Sequence, residues 1–301
     1  MRTPPPQGSR GMTDATALRR HWGNAEDVGI RAARTPDVAI QDFEIAGRVR
    51  VRLVRPAGED GVLPVVLFTH GAGWILGEDF TYDRMTRELA LQARAAVAFV
   101  DYHHSAENRF PAAVQECYAA LEWLAAQAEQ LGVDAGRIAV AGDSAGAAIA
   151  VAVAVAAKER SGPAITGQVL LYPMISSSYA GASAFDAVSY HRRATEHWIM
   201  RQSGMWSTGA RAQVAEPVVT HPADERFTGM PPTLIVVAEA DVLREQGEGY
   251  AADLRAAGVP VIVERYAGVI HDFVMVDALG DTAAVREATG HAGRYLHYAL
   301  G

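Results

Sequence analysis

Arg137-Ile138-Ala139-Val140-Ala141-Gly142-Asp143-Ser144-Ala145-Gly146 is the stretch from which the fold can be read. Residues 137–141 form a short apolar run with the character of a buried strand, and Ala147–Ala157 is an unbroken Ala/Val/Ile series long enough for a buried helix. A strand that becomes a helix around Ser144 must turn so sharply that only small residues fit on either side, and Gly142 and Gly146 supply them. Such a turn exposes the serine hydroxyl and aims the backbone N–H groups of the helix N-terminus at it, where they favour developing negative charge. An ordinary glycine-rich β–α turn has the same pentapeptide, so the rest of the chain has to decide.

On either side of this stretch the pattern alternates. Upstream, 40–55 reads as an antiparallel hairpin about Gly47, and Pro64–Phe68 as a central strand covered on both faces. A helix over about 80–93, a strand at 95–100 and a helix from Pro111 to about Leu131 follow. Downstream, strands are expected at 168–172, 233–238 and 259–266, with helices over about 243–257, closed by Gly258, and 281–300. The expected class is α/β: a mostly parallel, doubly wound sheet with an antiparallel N-terminal edge hairpin. Residues 174–228, rich in Ser, Tyr, His, Trp and Met, break the rhythm and are too long for a plain loop. With a weakly helical segment near 14–33 they are expected to form a cap. The expected division is a disordered tail over 1–11 and one domain over 12–301, with cap elements from about 12–38 and 174–228.

Composition narrows the classes. A net charge of −8 argues against nucleic-acid binding, and the single Cys117 leaves no disulfide framework or thiolate cluster. No apolar run reaches membrane-spanning length, and Pro4-Pro5-Pro6 stands where a signal peptide needs its apolar core. The ten histidines show no metal-ligand spacing, so neither metal nor cofactor is expected. These features read as a soluble, cytoplasmic protein.

A nucleophilic serine needs a base, an orienting carboxylate and donors for an oxyanion. Downstream of Ser144, the best carboxylate is Asp241, in Ala238-Glu239-Ala240-Asp241, and the best imidazole is His271, in Gly268-Val269-Ile270-His271-Asp272-Phe273. Each follows a buried strand, on the carboxyl edge where open α/β sheets hold their sites. Alone, Asp241 reads as a helix N-cap and His271 as a loop residue; together with Ser144 they have the order of a catalytic triad. The small residues of His70-Gly71-Ala72-Gly73-Trp74 let backbone N–H groups approach a substrate oxygen, with Gly71, Ala72 and Ala145 as the expected donors. A dinucleotide loop is the rival reading, but its third glycine falls at Gly77 rather than at Leu76.

These segments resemble the hormone-sensitive-lipase-like esterases of the α/β-hydrolase superfamily (bacterial family IV). His70–Trp74 resembles the family's HGGGW, Gly142–Gly146 matches its GDSAG, and Phe110-Pro111-Ala112-Ala113 is similar to its FPAA. Pro231-Pro232 with Ala238–Arg244 resembles the aspartate segment, and Gly268–Phe273 the histidine segment. The resemblance implies a carboxylesterase for short- to medium-chain esters, acetyl esters among them, with Ser144 as nucleophile, His271 as base and Asp241 as orienter. It also implies a homodimer through the sheet edge, and acyl-pocket contacts from Met205 and Trp206 in the cap. Trp74, beside the oxyanion loop, is a further pocket candidate. Amide or formamide hydrolysis, a lyase reaction and a non-catalytic receptor are the alternatives. Three departures stand out: Ala72 replaces the middle glycine, Asp272 adds a charge beside His271, and the family's DYRLAPE reads Asp101-Tyr102-His103-His104-Ser105-Ala106-Glu107.

Overall fold

The computed structural model describes residues 37–45, 49–74, 77, 79–104, 108, 111–175 and 227–301. The tail expected over 1–11, the helix near 14–33 and nearly all of the cap, including Met205 and Trp206, lie outside the described residues.

Among the described residues, eight strands form one sheet: β1 (Val38–Ile45), β2 (Val49–Pro56), β3 (Leu63–Thr69), β4 (Ala96–Asp101), β5 (Val133–Asp143), β6 (Gly167–Leu171), β7 (Thr233–Ala240) and β8 (Val261–Ile270). Their order is β1-β2-β4-β3-β5-β6-β7-β8. β1 and β2 are the antiparallel hairpin read from the sequence, with Ile45 opposite Val49, and β2 also runs antiparallel to β4. The remaining strands are parallel.

β3 shows why the continuous apolar runs are central strands. Every residue from Leu63 to Thr69 is buried. Val65 and Leu67 face one apolar cluster and Val66 and Phe68 the other, because alternate side chains leave a strand on opposite faces. On the first face lie α2 (Ala112–Ala126), α4 (Ser144–Glu159) and α5 (Arg244–Ala256), contributing Leu121, Ile149 and Tyr250. α1 (Asp83–Ala93) and α6 (Ala283–Leu300) cover the second with Met85, Leu89, Val285 and Leu296. The helix expected from Pro111 to Leu131 is interrupted at Gln127, where α2 ends and the single-turn α3 (Ala128–Leu131) begins. Gly132, left-handed at φ 62°, closes that turn.

Packing is very close where α4 leaves the sheet. A Cβ on Gly146 would stand 2.1 Å from the Thr69 carbonyl oxygen and 2.4 Å from the His70 carbonyl group. Both obstacles are backbone, so no rotamer change relieves them. Gly146→Ala is therefore expected to cost at least about 2 kcal/mol of stability in denaturant unfolding, as overpacking does in a filled core. Gly249, inside α5, has nothing within 4 Å of the same position. Gly249→Ala should stabilise by up to about 1 kcal/mol, because alanine removes unfolded-state freedom at a helical position.

Candidate active site

Asp143 ends β5 in an extended conformation (φ −118°, ψ 145°), and Ser144 turns left-handed at φ 50° before α4 begins. A left-handed serine is strained, and the strain is held by the glycine contacts on both sides. A Cβ on Gly142 would meet the Gly146 carbonyl group at 2.7 Å, so both glycines are required by the closeness of the turn. The Thr69 hydroxyl donates to the Gly146 carbonyl at 2.8 Å and fixes α4 to the end of β3.

The three residues expected to form a triad meet at the carboxyl edge of the sheet. The Ser144 hydroxyl lies 2.8 Å from His271 Nε2, and His271 Nδ1 lies 2.7 Å from Asp241 Oδ2. All three are buried, with Asp241 fully so. The other Asp241 oxygen, Oδ1, accepts the Leu243 N–H at 2.8 Å. The N-cap-like and triad readings of Asp241 thus both hold, one on each oxygen. That division orients the imidazole: with Nδ1–H donating to Asp241, the neutral ring presents its Nε2 lone pair to the Ser144 hydroxyl. The Tyr172 ring stands edge-on to the imidazole at 5.1 Å and completes the packing around it.

Electrostatics push the imidazole towards its charged form. Burial alone would lower its pKa, but the charges of Asp241 and Asp272, the hydrogen bond to Asp241 and the charge of Asp143 raise it to about 9.

The loop after β3 is tied to the residue before the nucleophile. Gly71 N–H donates to Asp143 Oδ1 at 2.9 Å and also lies 3.1 Å from the Tyr82 hydroxyl oxygen. It is directed at the carboxylate beneath the nucleophile. Glycine is needed there because a Cβ would lie 2.6 Å from Asp143 Oδ2. The chain then runs through Ala72 (φ 58°), Gly73 (φ 67°) and Trp74 (φ 60°), three successive left-handed residues. Trp74 is buried in the same apolar cluster as Tyr102, Ala145 and Ile149.

Two groups that the sequence reading passed over hold this loop. Asp143, fully buried, accepts from Gly71 N–H and from the Tyr82 hydroxyl at 3.2 Å. Burial and the charge of Asp272 raise its pKa to about 8 against the pull of those two donors and of His271. Its place inside the elbow pentapeptide was the available signal; nothing marked Tyr82. His70 stacks on Tyr102 with ring centres 4.1 Å apart, and its carbonyl accepts from the Tyr102 hydroxyl at 2.7 Å. Burial and the charge of His104 push the His70 pKa down to about 3, so this ring is a neutral packing group. In the divergent segment after β4, His104 Nε2 lies 3.1 Å from the Gly77 carbonyl and reaches the far end of the same loop. His103 is occupied by Glu116 of α2 through both its ring and its N–H. Cys117 is buried, and burial raises its thiol pKa, which leaves it unreactive.

A hydroxyl, an imidazole and a carboxylate joined in series on the carboxyl edge of a parallel sheet, with the hydroxyl on a strand–helix turn, define a serine hydrolase. Comparison with known proteins takes this further. Residues 66–275, more than half of the chain, match the family described by the α/β-hydrolase fold. The chain belongs to that family, in its hormone-sensitive-lipase-like branch. It is 33% identical over 283 residues to the carboxylesterase NlhH of Mycobacterium tuberculosis, covering 90% of this chain and 88% of that one. It is 31% identical over 290 residues to an ethyl acetate hydrolase of Pseudomonas putida, covering 90% and 86%. A thermostable esterase of known structure from Pseudomonas putida ECU1011 superimposes with a TM-score of 0.85 at 33% identity, covering 98% and 93%. The chain is a carboxylic ester hydrolase with a Ser-His-Asp triad. Among the described residues no helix is long and apolar enough to cross a membrane.

The two roles of Asp241 give a sharp test. In Asp241→Asn the Leu243 N–H keeps the amide oxygen on its own side, so the amide NH₂ faces His271 Nδ1. That forces the proton onto Nε2, which then no longer accepts from Ser144. kcat for an activated ester is expected to fall by about four orders of magnitude with the fold intact by circular dichroism.

Proposed function

We propose that the chain hydrolyses short- to medium-chain carboxylic esters, acetyl esters among them, through an acyl-enzyme. The observation that carries the proposal is the unbroken series from the Ser144 hydroxyl through His271 to Asp241, at 2.8 and 2.7 Å. Ser144 Oγ attacks the ester carbonyl carbon as His271 Nε2 takes its proton, and the carbonyl π electrons move to oxygen. The tetrahedral intermediate collapses, the C–O bond to the alcohol breaks, and Nε2–H protonates the departing alkoxide. Water then adds to the acyl-enzyme, losing its proton to Nε2, and the second collapse returns that proton to Ser144 and releases the acid.

We assign the oxyanion to the N–H groups of Ala72, Gly73 and Ala145. Gly71, Ala72 and Ala145 were the sequence candidates, and the engagement of Gly71 N–H by Asp143 moves the loop's share one residue on. Ala145 contributes because it is the first residue behind the nucleophile in α4, where N–H groups have no intrahelical acceptor. Trp74 is assigned to the acyl side of the pocket because it directly follows these donors, with Met205 and Trp206 contributed by the cap on the sequence argument. The short-chain preference is supported by the relative that hydrolyses ethyl acetate. Cytoplasmic residence, on the sequence argument, and pairing of two copies along β8, where Ile262 is half exposed, belong to the same proposal.

Hydrolysis of p-nitrophenyl acetate, butyrate and palmitate by the wild type beside Ser144→Ala tests it. Acetate and butyrate should be turned over fastest, and Ser144→Ala should lower kcat/KM by about three orders of magnitude or more. A clear preference for palmitate would overturn the chain-length assignment. A folded wild type inert on every ester, yet active on an anilide or formamide, would overturn the ester assignment.

A further inference from the structure

The imidazole of His271 has a second carboxylate beside it that the triad does not use. Asp272 Oδ1 lies 3.2 Å from Nε2, the nitrogen that also faces the Ser144 hydroxyl at 2.8 Å. Asp272 is 93% buried by its 7% exposure, and Oδ1 makes no hydrogen bond among the described residues. Placing a carboxylate oxygen out of water without a donor is costly, and a buried charge is tolerated when an opposite charge stands against it. Among the described residues, the cationic group that stands against it is the imidazolium of His271. Arg84 of α1 is committed elsewhere: to Asp277 at 2.9 Å, to Glu88 at 3.0 Å and to the Val274 carbonyl.

The backbone does not demand an aspartate at this position. Asp272 is left-handed at φ 60°, a conformation open to glycine and asparagine as well. Its carbonyl, which closes the following turn by accepting from Met275 and Val276, is independent of the side chain. The side chain therefore brings one thing that glycine and asparagine lack: a negative charge on the reacting face of the imidazole.

We propose that Asp272 is a positioning residue that competes with Ser144 for His271 Nε2, holding the protonated ring between two carboxylates in a resting state from which the catalytic base is released when Nε2 loses its proton. In that state Nδ1–H faces Asp241 and Nε2–H faces Asp272. Loss of the Nε2 proton to solvent frees the lone pair, and the Ser144 hydroxyl becomes its hydrogen-bond donor. The inference rests on the reading of His271 as the base of an esterase.

The other charged and titratable groups facing the ring from the described elements favour the same state or are neutral to it. Asp241 comes from the end of β7 and Asp143 from the end of β5, and both charges raise the His271 pKa together with Asp272. The Tyr172 ring follows β6 and Tyr82 precedes α1; burial raises both phenols, so both are uncharged at neutral pH. Asp272 itself is pushed up by burial and pulled back by the charge of His271, as expected of a carboxylate whose partner is that ring.

The direction of the effect follows. The base must be neutral to act, so kcat/KM rises with pH through the His271 pKa, and each unit below it lowers activity about tenfold. Removing the Asp272 charge lowers that pKa and moves the rising limb to lower pH. Asp272→Asn and Asp272→Gly, both compatible with the left-handed backbone, should shift the limb of p-nitrophenyl acetate hydrolysis down by about one unit or more. Near pH 7 the variants should be about tenfold more active than the wild type, a gain that loss of a structural contact would not produce. The same shift should appear without turnover, in the ¹⁵N-histidine titration of His271 by NMR, assigned by comparison with His271→Gln. Unchanged His271 titration in both variants overturns the proposal. If no ester is turned over at any pH, the ester reading fails, while the NMR titration still decides the role of Asp272.

Discussion

The whole site depends on how closely the start of α4 approaches the end of β3. With no side chain on Gly146, its backbone rests against the Thr69 and His70 carbonyl groups at distances no Cβ can share. This contact sets how far the helix can stand from the sheet, and so how sharply β5 must turn. Ser144 absorbs the turn by going left-handed, which lifts its hydroxyl towards the loops following β7 and β8. The same contact brings the loop after β3 against Asp143, so nucleophile and loop are placed by one packing constraint. A strained residue at the reacting centre persists because the surrounding backbone leaves it no alternative.

Charge is the second organising quantity. Three buried carboxylates, Asp143, Asp241 and Asp272, surround a single imidazole. Asp143 is satisfied by donors from two other elements, Gly71 N–H and the Tyr82 hydroxyl, and its purpose is mechanical: it ties the loop after β3 to the elbow. Asp241 divides its oxygens between a backbone N–H and the imidazole, which orients both. Asp272 has neither arrangement, and this contrast separates a structural or orienting carboxylate from one that acts on the proton. Three residues of one chemical type thus have three functions, distinguished by where their hydrogen bonds go.

Much of this was legible in the sequence because the relevant signals are local. Apolar runs bounded by turns gave the parallel strands, alternation about Gly47 gave the β1–β2 hairpin, and Ser144, Asp241 and His271 could be placed because each follows a run that reads as a strand. What escaped depends on contacts between distant residues. Tyr82 matters only because its hydroxyl meets a carboxylate sixty-one positions away. Gly71 read as an oxyanion donor because its smallness suggested close approach to a ligand; the group it approaches is Asp143, seventy-two positions on. Gln127 carries no helix-breaking chemistry, so the interruption between α2 and α3 had no local mark.

The divergent His103-His104 pair shows the same limit from the other side. As a sequence feature it stood only as a departure from the family's DYRLAPE segment. In the fold, His103 is held by Glu116, and His104 reaches the Gly77 carbonyl while Tyr102 holds that of His70. The loop that carries the proposed oxyanion donors is therefore pinned near both ends by the segment after β4. A departure from a motif need not be a departure from the geometry the motif serves. Here a different side chain reaches a backbone carbonyl, an acceptor available whatever residue carries it, and so holds the loop in place.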